Sequence, residues 1–354
     1  MTDTKPADRK PVGVAVVGAG YWGPNLVRNF SAHDACDLRW VCDLDIERAR
    51  LAVGRYSTLR LTTSLEEVLD DPQVEAVAVA TPAGTHVSVA GACFDAGKHV
   101  LVEKPLAPTV VEGRELVDRA AAAGVVLMCD HTYCYTPAVA RIRELVAGGQ
   151  LGDIQYVDSV RINLGLIQPD VDVFWDLAPH DLSILDFILP ADRRPHAVAA
   201  QGADPIGSGK ACVGYLALPL DGNAIAHTHV NWLSPTKIRT MIVGGSSRMV
   251  VWDDLHPTQR LSMFDKGVDL RADSASTEAR HEALIAYRVG DLVAPALPEF
   301  EALRAVVGEF AGAIREHRVP LTDGAAGLRV LEILEAASQS LADDGAAVPL
   351  EGGR

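Results

Sequence analysis

Three glycines, Gly18, Gly20 and Gly23, follow the apolar run "VGVAVV" in the stretch "VGAGYWG". Binding a pyrophosphate needs a turn with positive φ, a backbone bare enough for close approach, and tight packing of the next helix on the strand. Glycines at this spacing supply the three in order. Asp43 lies 20 residues beyond Gly23, at the end of the next strand-like run. A carboxylate there accepts hydrogen bonds from an adenosine ribose diol and repels a 2′-phosphate, so NAD is favoured over NADP. Arg48 and Arg50 follow closely and can soften that preference. The plain alternative is a glycine turn followed by a surface aspartate. Strand, glycines, helix and acid occurring together favour the nucleotide.

Three more clusters carry usable chemistry. "ATPAGTH" (80–86) offers the hydroxyls of Thr81 and Thr85 and the imidazole of His86 after another strong strand. Taken alone, it reads equally as a strand exit and a helix cap formed by Thr85 or Ser88. "VEKPLA" (102–107) places Glu103 and Lys104 before Pro105. A lysine at the mouth of a nucleotide-binding sheet can stabilise a developing alkoxide, with Glu103 orienting it; the alternative is a surface ion pair of little value. Pro105 can fix the loop through a cis bond, which sequence does not decide. In "WDLAPHDLS" (175–183), Asp176 and His180 are four apart and share a face if helical. His180 is suited to taking a hydroxyl proton near neutrality, with Asp176 on the substrate or the imidazole. Pro179 makes an irregular turn an alternative, as do solvated side chains on a helix packed under a sheet. His227 and His229 alternate on one strand without a clear third ligand, so packing or subunit contact is expected there instead of metal.

The elements that position these residues alternate. Strand-like runs at 12–17, 37–43, 74–81, 99–104 and 125–129 are separated by helix-like segments at 21–30, 45–56, 84–97 and 109–124, the last capped by Gly124. This pattern predicts a parallel, doubly wound α/β sheet over residues 11–130. A helix over 136–149 follows. Longer alternating runs from 153 to about 263, interrupted by one helix at 173–189, predict an α+β body with a large, mostly antiparallel open sheet. Two helices near 300–317 and 324–341 complete it. The second body is placed at 131–340, its last helices free to pack back on the first. Residues 1–10 and 341–354 are expected to be tails.

Composition bounds the rest. The 354 residues suffice for two cores, and 48% are hydrophobic. The net charge of −15 disfavours nucleic acid and anionic membranes, yet leaves room for an anionic small substrate. No run reaches a transmembrane length, and the polar start lacks a signal core, so the cytoplasm is expected. Six cysteines, Cys36, Cys42, Cys93, Cys129, Cys134 and Cys212, form no C-x-x-C pair. They read as reduced, mostly buried thiols, and no metal is expected.

Taken in this order from Val12 onward, the glycine loop, the "EKP" tripeptide and the aspartate four before a histidine resemble the glucose–fructose oxidoreductase, inositol dehydrogenase and rhizopine-catabolism (Gfo/Idh/MocA) family. "GYWGPNLVRNF", "HTYCYTPAV", "RINLGLIQPDVDVFWDLAPHDLSIL" and "AYRVGDLVAP" are similar to members from nucleotide-sugar and surface-polysaccharide pathways. The resemblance implies an N-terminal Rossmann domain and a C-terminal sheet that forms dimers or tetramers face to face. It implies Lys104 as the catalytic lysine, His180 as the acid/base and Asp176 at the substrate, with Tyr133 and Asn163 as further substrate contacts. Gly18, Gly20, Tyr21, Trp22, Gly23, Asp43, Thr81, Pro82, His86, Glu103 and Lys104 would line the NAD site. Asp130, before His131, departs from the glycine of many relatives. Histidine at 180, where some ketoreductases have tyrosine, leans toward dehydrogenation.

The expected activity is NAD-dependent hydride transfer at a secondary hydroxyl, often C3, of a nucleotide-linked hexose. His180 takes the proton and Lys104 stabilises the alkoxide. Other readings are a free aldose or inositol dehydrogenase, a sugar 3-ketoreductase, an oxidation–elimination glycosidase and a non-catalytic NAD-binding regulator. Arg161, Lys237 and Arg239 are candidates for meeting a diphosphate.

Overall fold

The computed structural model describes residues 10–54, 59–168, 170–271 and 284–350. It divides into two compact units, 1–136 with 300–335, and 137–299 with 336–354. Nearly all of the expected N-terminal tail, residues 55–56 of the expected helix over 45–56, and the last four residues lie outside the described residues.

The first unit is built on a six-stranded parallel sheet. Its strands are β1 (Val12–Val17), β2 (Cys36–Cys42), β3 (Arg60–Thr62), β4 (Ala76–Val79), β5 (His99–Glu103) and β6 (Leu127–Asp130), in the order β3-β2-β1-β4-β5-β6. The order reverses between β1 and β4, which opens a ligand crevice at their carboxyl ends. Both strands are buried along their whole length, as strands covered on two faces must be. The helices are α1 (Gly23–Ala32), α2 (Ile46–Val53), α3 (Leu65–Leu69), α4 (His86–Asp95) and α5 (Val110–Ala123). Gly124 ends α5 at φ 66°, the left-handed cap its position predicts. The helix expected from Tyr21 starts at Gly23, because the glycine loop stays non-helical. The expected helix over 84–97 is a 3₁₀ turn, Ala83–Thr85, followed by α4.

The second unit carries α6 (Pro137–Ala147) and α7 (Val173–Ile188) against a nine-stranded sheet. Its strands are β7 (Ile154–Leu164), β8 (Ala197–Ala203), β9 (Val213–Leu220), β10 (Ala224–Asn231), β11 (Leu233–Gly245), β12 (Met249–Asp253), β13 (Leu261–Arg271), β14 (Leu284–Val293) and β15 (Val348–Pro349). They run β14-β13-β12-β11-β7-β10-β9-β8-β15, antiparallel except for the β7–β10 pair. Within the segment expected as a C-terminal tail, β15 therefore adds an edge strand. Phe174 seats α7 on the sheet. A Cβ at Gly214 of β9 would lie 2.0 Å from the Phe174 ring, so only glycine lets the ring in. The final helices are α8 (Ala302–Glu316) and α9 (Gly324–Ala342). In the first unit α8 packs on α1 and β1, and Arg315 clasps Glu75 through two hydrogen bonds of 2.6 and 2.8 Å.

Candidate functional site

In the first unit, the glycine loop leaves β1 at the switch point. Gly18 has φ +97°, and a Cβ there would lie 2.6 Å from the Ala80 carbonyl group at the exit of β4. A Cβ on Gly23 would lie 2.2 Å from the Gly18 carbonyl oxygen, so the first turn of α1 rests directly on the loop. A Cβ on Gly20 would meet nothing within 4 Å, leaving a bare stretch of backbone. The first turn of α1 has neither an acidic residue nor a side-chain cap. Pro24 has no N–H and the Asn25 and Leu26 amides donate to the Trp22 carbonyl, so what the three glycines offer a phosphate is the bare backbone of the loop just before this turn.

Asp43 sits just past β2 with its carboxylate fixed. Oδ2 accepts from the Ala19 amide at 2.6 Å, and Oδ1 from the Asp45 amide at 2.8 Å. The group is therefore held at the glycine loop with lone pairs remaining for a diol. Arg48 is paired with Asp45 and Arg50 with Glu47, all on the exposed side of α2. Both arginines that could soften the preference for NAD thus have carboxylate partners. The residues present fit a dinucleotide on these observations.

The β4 exit is organised by His86. Its Nε2 lies 2.9 Å from the Thr81 carbonyl oxygen and its Nδ1 3.0 Å from that of Pro105. The ring is only 1% exposed. Burial pushes its pKa down, opposed by these carbonyl contacts. A neutral imidazole donates to only one of two carbonyls; either way the ring pins the Lys104–Pro105 loop to the β4 exit. The Lys104–Pro105 peptide is cis. Thr85 Oγ1 is 2.8 Å from Thr81 Oγ1 and 2.7 Å from the Pro82 carbonyl, and Ser88 Oγ donates to the Thr85 carbonyl. These hydroxyls serve the turn. Tyr21 is 96% exposed at the loop tip. Trp22 turns its indole N–H to Asp130, 3.3 Å away.

Glu103 ends β5, and its Oε2 accepts from the Lys104 amide at 2.9 Å. Beside it in the register stands Asp130 of β6. Burial first, then the charge of Asp130, holds Glu103 well above the usual carboxylate range, with Lys104 pulling the other way. Tyr133 lies on the 3₁₀ turn Thr132–Tyr135 that follows β6. The first unit thus brings the glycine loop, Asp43, Thr81, Pro82, His86, Glu103 and Lys104 to the carboxyl ends of its strands.

In the second unit, Asp176 and His180 lie on α7, which continues through Pro179. The helix loses one backbone hydrogen bond there, because proline has no N–H. Asp172 caps the start, accepting from the amides of Phe174 and Trp175. Asp176 Oδ2 accepts from the Trp232 indole at 2.9 Å, a positioning contact absent from the sequence reading. The His180 carbonyl accepts from Ser183. Asn163 lies near the end of β7.

One expectation needs correction. Arg161 is not available to a diphosphate. It is 2% exposed, and its Nε and Nη2 donate to Asp181 at 2.5 and 3.2 Å, with Ser159 Oγ on the same carboxylate at 2.7 Å. A buried arginine needs such a partner. Arg239 pairs with Asp254 at 3.5 Å, and Lys237 is exposed. Glu103 also faces Asp130 instead of forming a simple surface pair. His227 and His229 stack on Tyr215, the latter at 4.4 Å between ring centroids. No group of three potential ligands among the described residues is placed to hold a metal ion. All six cysteines are free thiols, and burial pushes Cys36 and Cys93 up to about 12 and Cys42 to about 11.

Comparison with known proteins agrees with this geometry. Residues 12–131 match the GFO_IDH_MocA model, described as an oxidoreductase family with an NAD-binding Rossmann fold. Inositol 2-dehydrogenase 2 of Paenarthrobacter aurescens is 33% identical over 187 residues, 51% of this chain and 56% of that one. The chain thus aligns with about half the length of that relative. UDP-N-acetylglucosamine 3-dehydrogenase of Acidithiobacillus ferrooxidans is 28% identical over 319 residues, covering 89% of this chain and 93% of the relative. Its solved structure superposes with a TM-score of 0.78, covering 94% of this chain and 98% of that one. GenD2 from gentamicin A biosynthesis, solved with NAD, is 27% identical with a TM-score of 0.80, covering 99% of this chain and 100% of the other. No described helix is long and apolar enough to cross a membrane.

Proposed function

The chain belongs, through residues 12–131, to the Gfo/Idh/MocA oxidoreductase family, and on that premise we propose that it transfers hydride at a secondary hydroxyl of a sugar. One observation carries this reading: a glycine loop with Asp43 docked on it shares a strand edge with Lys104. Gly20 leaves bare backbone for the pyrophosphate, Gly18 lets the loop lie against Ala80, Gly23 seats α1 on the loop, and Asp43 takes the ribose diol. Tyr21, Trp22, Thr81, Pro82, His86 and Glu103 complete the surroundings of the dinucleotide. NAD is the preferred cofactor, because the fixed Asp43 carboxylate repels a 2′-phosphate. Bound NAD supplies the acceptor for the hydride.

The protein supplies charge placement and proton handling. The Lys104 ammonium hydrogen-bonds the reacting oxygen and stabilises the negative charge that builds as its proton leaves. The His180 imidazole takes that proton, and Asp176, held by Trp232, binds the substrate. Tyr133 and Asn163 contact the sugar. The alcohol carbon loses a hydride and becomes a carbonyl, and one proton remains on the protein.

The substrate is proposed as a nucleotide-linked hexose oxidised at C3. This is supported by similarity along 89% of the chain to a relative named for that reaction. Arg161 is buried against Asp181, so Lys237 and Arg239 remain as the candidates for the diphosphate. The 33% identity to an inositol dehydrogenase supports a second reading, oxidation of a free polyol. The protein is proposed to act in the cytoplasm. It is proposed to self-associate through the second unit's sheet, whose outward side carries Tyr215 and Ile225. Light scattering on the eluting protein tests this by distinguishing a dimer or tetramer from a monomer.

Mass spectrometry of ligands co-purified with the protein tests the functional reading. NAD together with a sugar nucleotide supports it. Binding of a free inositol, with no competition by UDP-, dTDP- or GDP-hexoses, favours the second reading. NAD without turnover on any sugar makes the chain a binding regulator and overturns both.

A further inference from the structure

Two carboxyl groups meet behind Lys104. Glu103 and Asp130 are register partners at the ends of β5 and β6, and their side chains are hydrogen-bonded to each other. Two carboxylates cannot share a hydrogen bond; one must carry the proton. The neighbours say which. Asp130 is 2% exposed and faces two further donors, Thr132 Oγ1 at 2.7 Å and the Trp22 indole at 3.3 Å. An indole N–H only donates and Thr132 donates to the other oxygen, so both Asp130 oxygens accept and the shared proton is better placed on Glu103. Glu103 Oε2 already accepts from the Lys104 amide. The proton therefore sits on the other oxygen of Glu103 and points at Asp130.

We propose that Glu103 and Asp130 form a carboxylic acid–carboxylate pair holding one proton, and that this pair positions the Trp22 indole of the glycine loop and the Lys104 main chain on a common support. Trp22 sits at the N-cap of α1, so the pair sets the placement of the loop that receives the dinucleotide. This last consequence rests on the proposed NAD site. Asp130 is thus a positioning residue that acts through Trp22. Loss of the shared proton would place two negative charges side by side and break the link between the strands. The titratable and charged groups around the pair are Lys104, the buried thiols of Cys129 and Cys134, Tyr135 on the following turn, and Glu309, which acts on Tyr135. Burial raises Cys129 and Tyr135, so neither is ionised at neutral pH.

The test uses the full-length protein without added ligand. Indole ¹⁵N–¹H resonances are followed against pH, with Trp22 assigned by Trp22→Phe, and infrared spectra of wild type and Glu103→Gln are subtracted. A glutamine amide accepts from Lys104 and donates to Asp130, so it imitates the protonated acid. The expected results are a carboxylic-acid carbonyl band present only in the wild type and an alkaline titration of the Trp22 resonance that Glu103→Gln abolishes. Glu103→Ala should displace that resonance at every pH. Calorimetry with NAD should show Asp130→Asn weakening binding about tenfold, the scale of one charge-assisted hydrogen bond. An absent acid band, or a Trp22 titration that persists in Glu103→Gln, overturns the pair. If both ligand-free signatures appear and NAD does not bind, the pair stands and the dinucleotide reading falls.

Discussion

Replacing Asp43 by alanine isolates the ribose contact. Its carboxylate is fixed by two amides at 2.6 and 2.8 Å, so a bound diol meets a preset, charged acceptor. Hydrogen bonds to a charged group contribute roughly 1.5–3 kcal/mol, and 1.4 kcal/mol is tenfold. Asp43→Ala should therefore weaken NAD by about ten- to a hundredfold. The same change removes a repulsion from the NADP 2′-phosphate. One pair of unit charges at 4 Å gives about 1 kcal/mol in water and about 4 at an effective dielectric of 20. NADP should improve by about fivefold or more on that term alone, so the ratio of the two dissociation constants should move by about fiftyfold or more. Calorimetric titration with each cofactor reads it. Loss of the Ala19 and Asp45 amide contacts by itself would weaken both cofactors alike. Asp43→Asn, which keeps one oxygen for Ala19, separates that effect. An unchanged NAD constant, or parallel weakening of both cofactors in Asp43→Asn, refutes the ribose assignment.

Lys104→Ala should cost mainly kcat, on the order of a hundredfold or more, in steady-state NADH formation; wild-type turnover would remove Lys104 from the chemistry. Arg161→Met leaves Asp181 buried and uncompensated, which should cost about 3–5 kcal/mol; denaturant unfolding of the whole chain with no loss would show the pair to be dispensable. Arg315 first, and then the Gly13 amide, hold Glu75 down to about 2, against burial. A depressed carboxylate stabilises above its unfolded pKa of about 4.3. That stability disappears as pH falls through about 2. Glu75→Gln should flatten this part of the acid limb, and an identical acid midpoint would contradict the clasp.

How much of this was legible depended on distance along the chain. β1, the glycines and Asp43 form a pattern within a few dozen residues, and each has a local physical reason. The αL end of α5 at Gly124 was legible for the same reason. β3 and α3 escaped because three and five residues are too few to show a period. β14 escaped because it is an edge strand beside β13 whose exposed Tyr287, Val289 and Leu292 blur the inside–outside alternation. Arg161 was misread because alternation along β7 says which residues share a face, but not which face a helix will cover. The apolar run around Asp181 was the available signal that this aspartate points inward and needs a cation. Trp22 and Asp130 are 108 residues apart, and only the sheet order brings them together. Sequence flagged Asp130 as unusual without giving its partner.

The central claim is tested most directly by isotope transfer. The protein is incubated with NAD and a nucleotide-linked hexose carrying deuterium at C3, and the reduced cofactor is weighed by mass spectrometry. The account predicts deuterium at the nicotinamide C4 and a 3-keto sugar as the co-product, with both signals lost together in Lys104→Ala. Reduced cofactor without label, or label arriving only from another carbon, would contradict it.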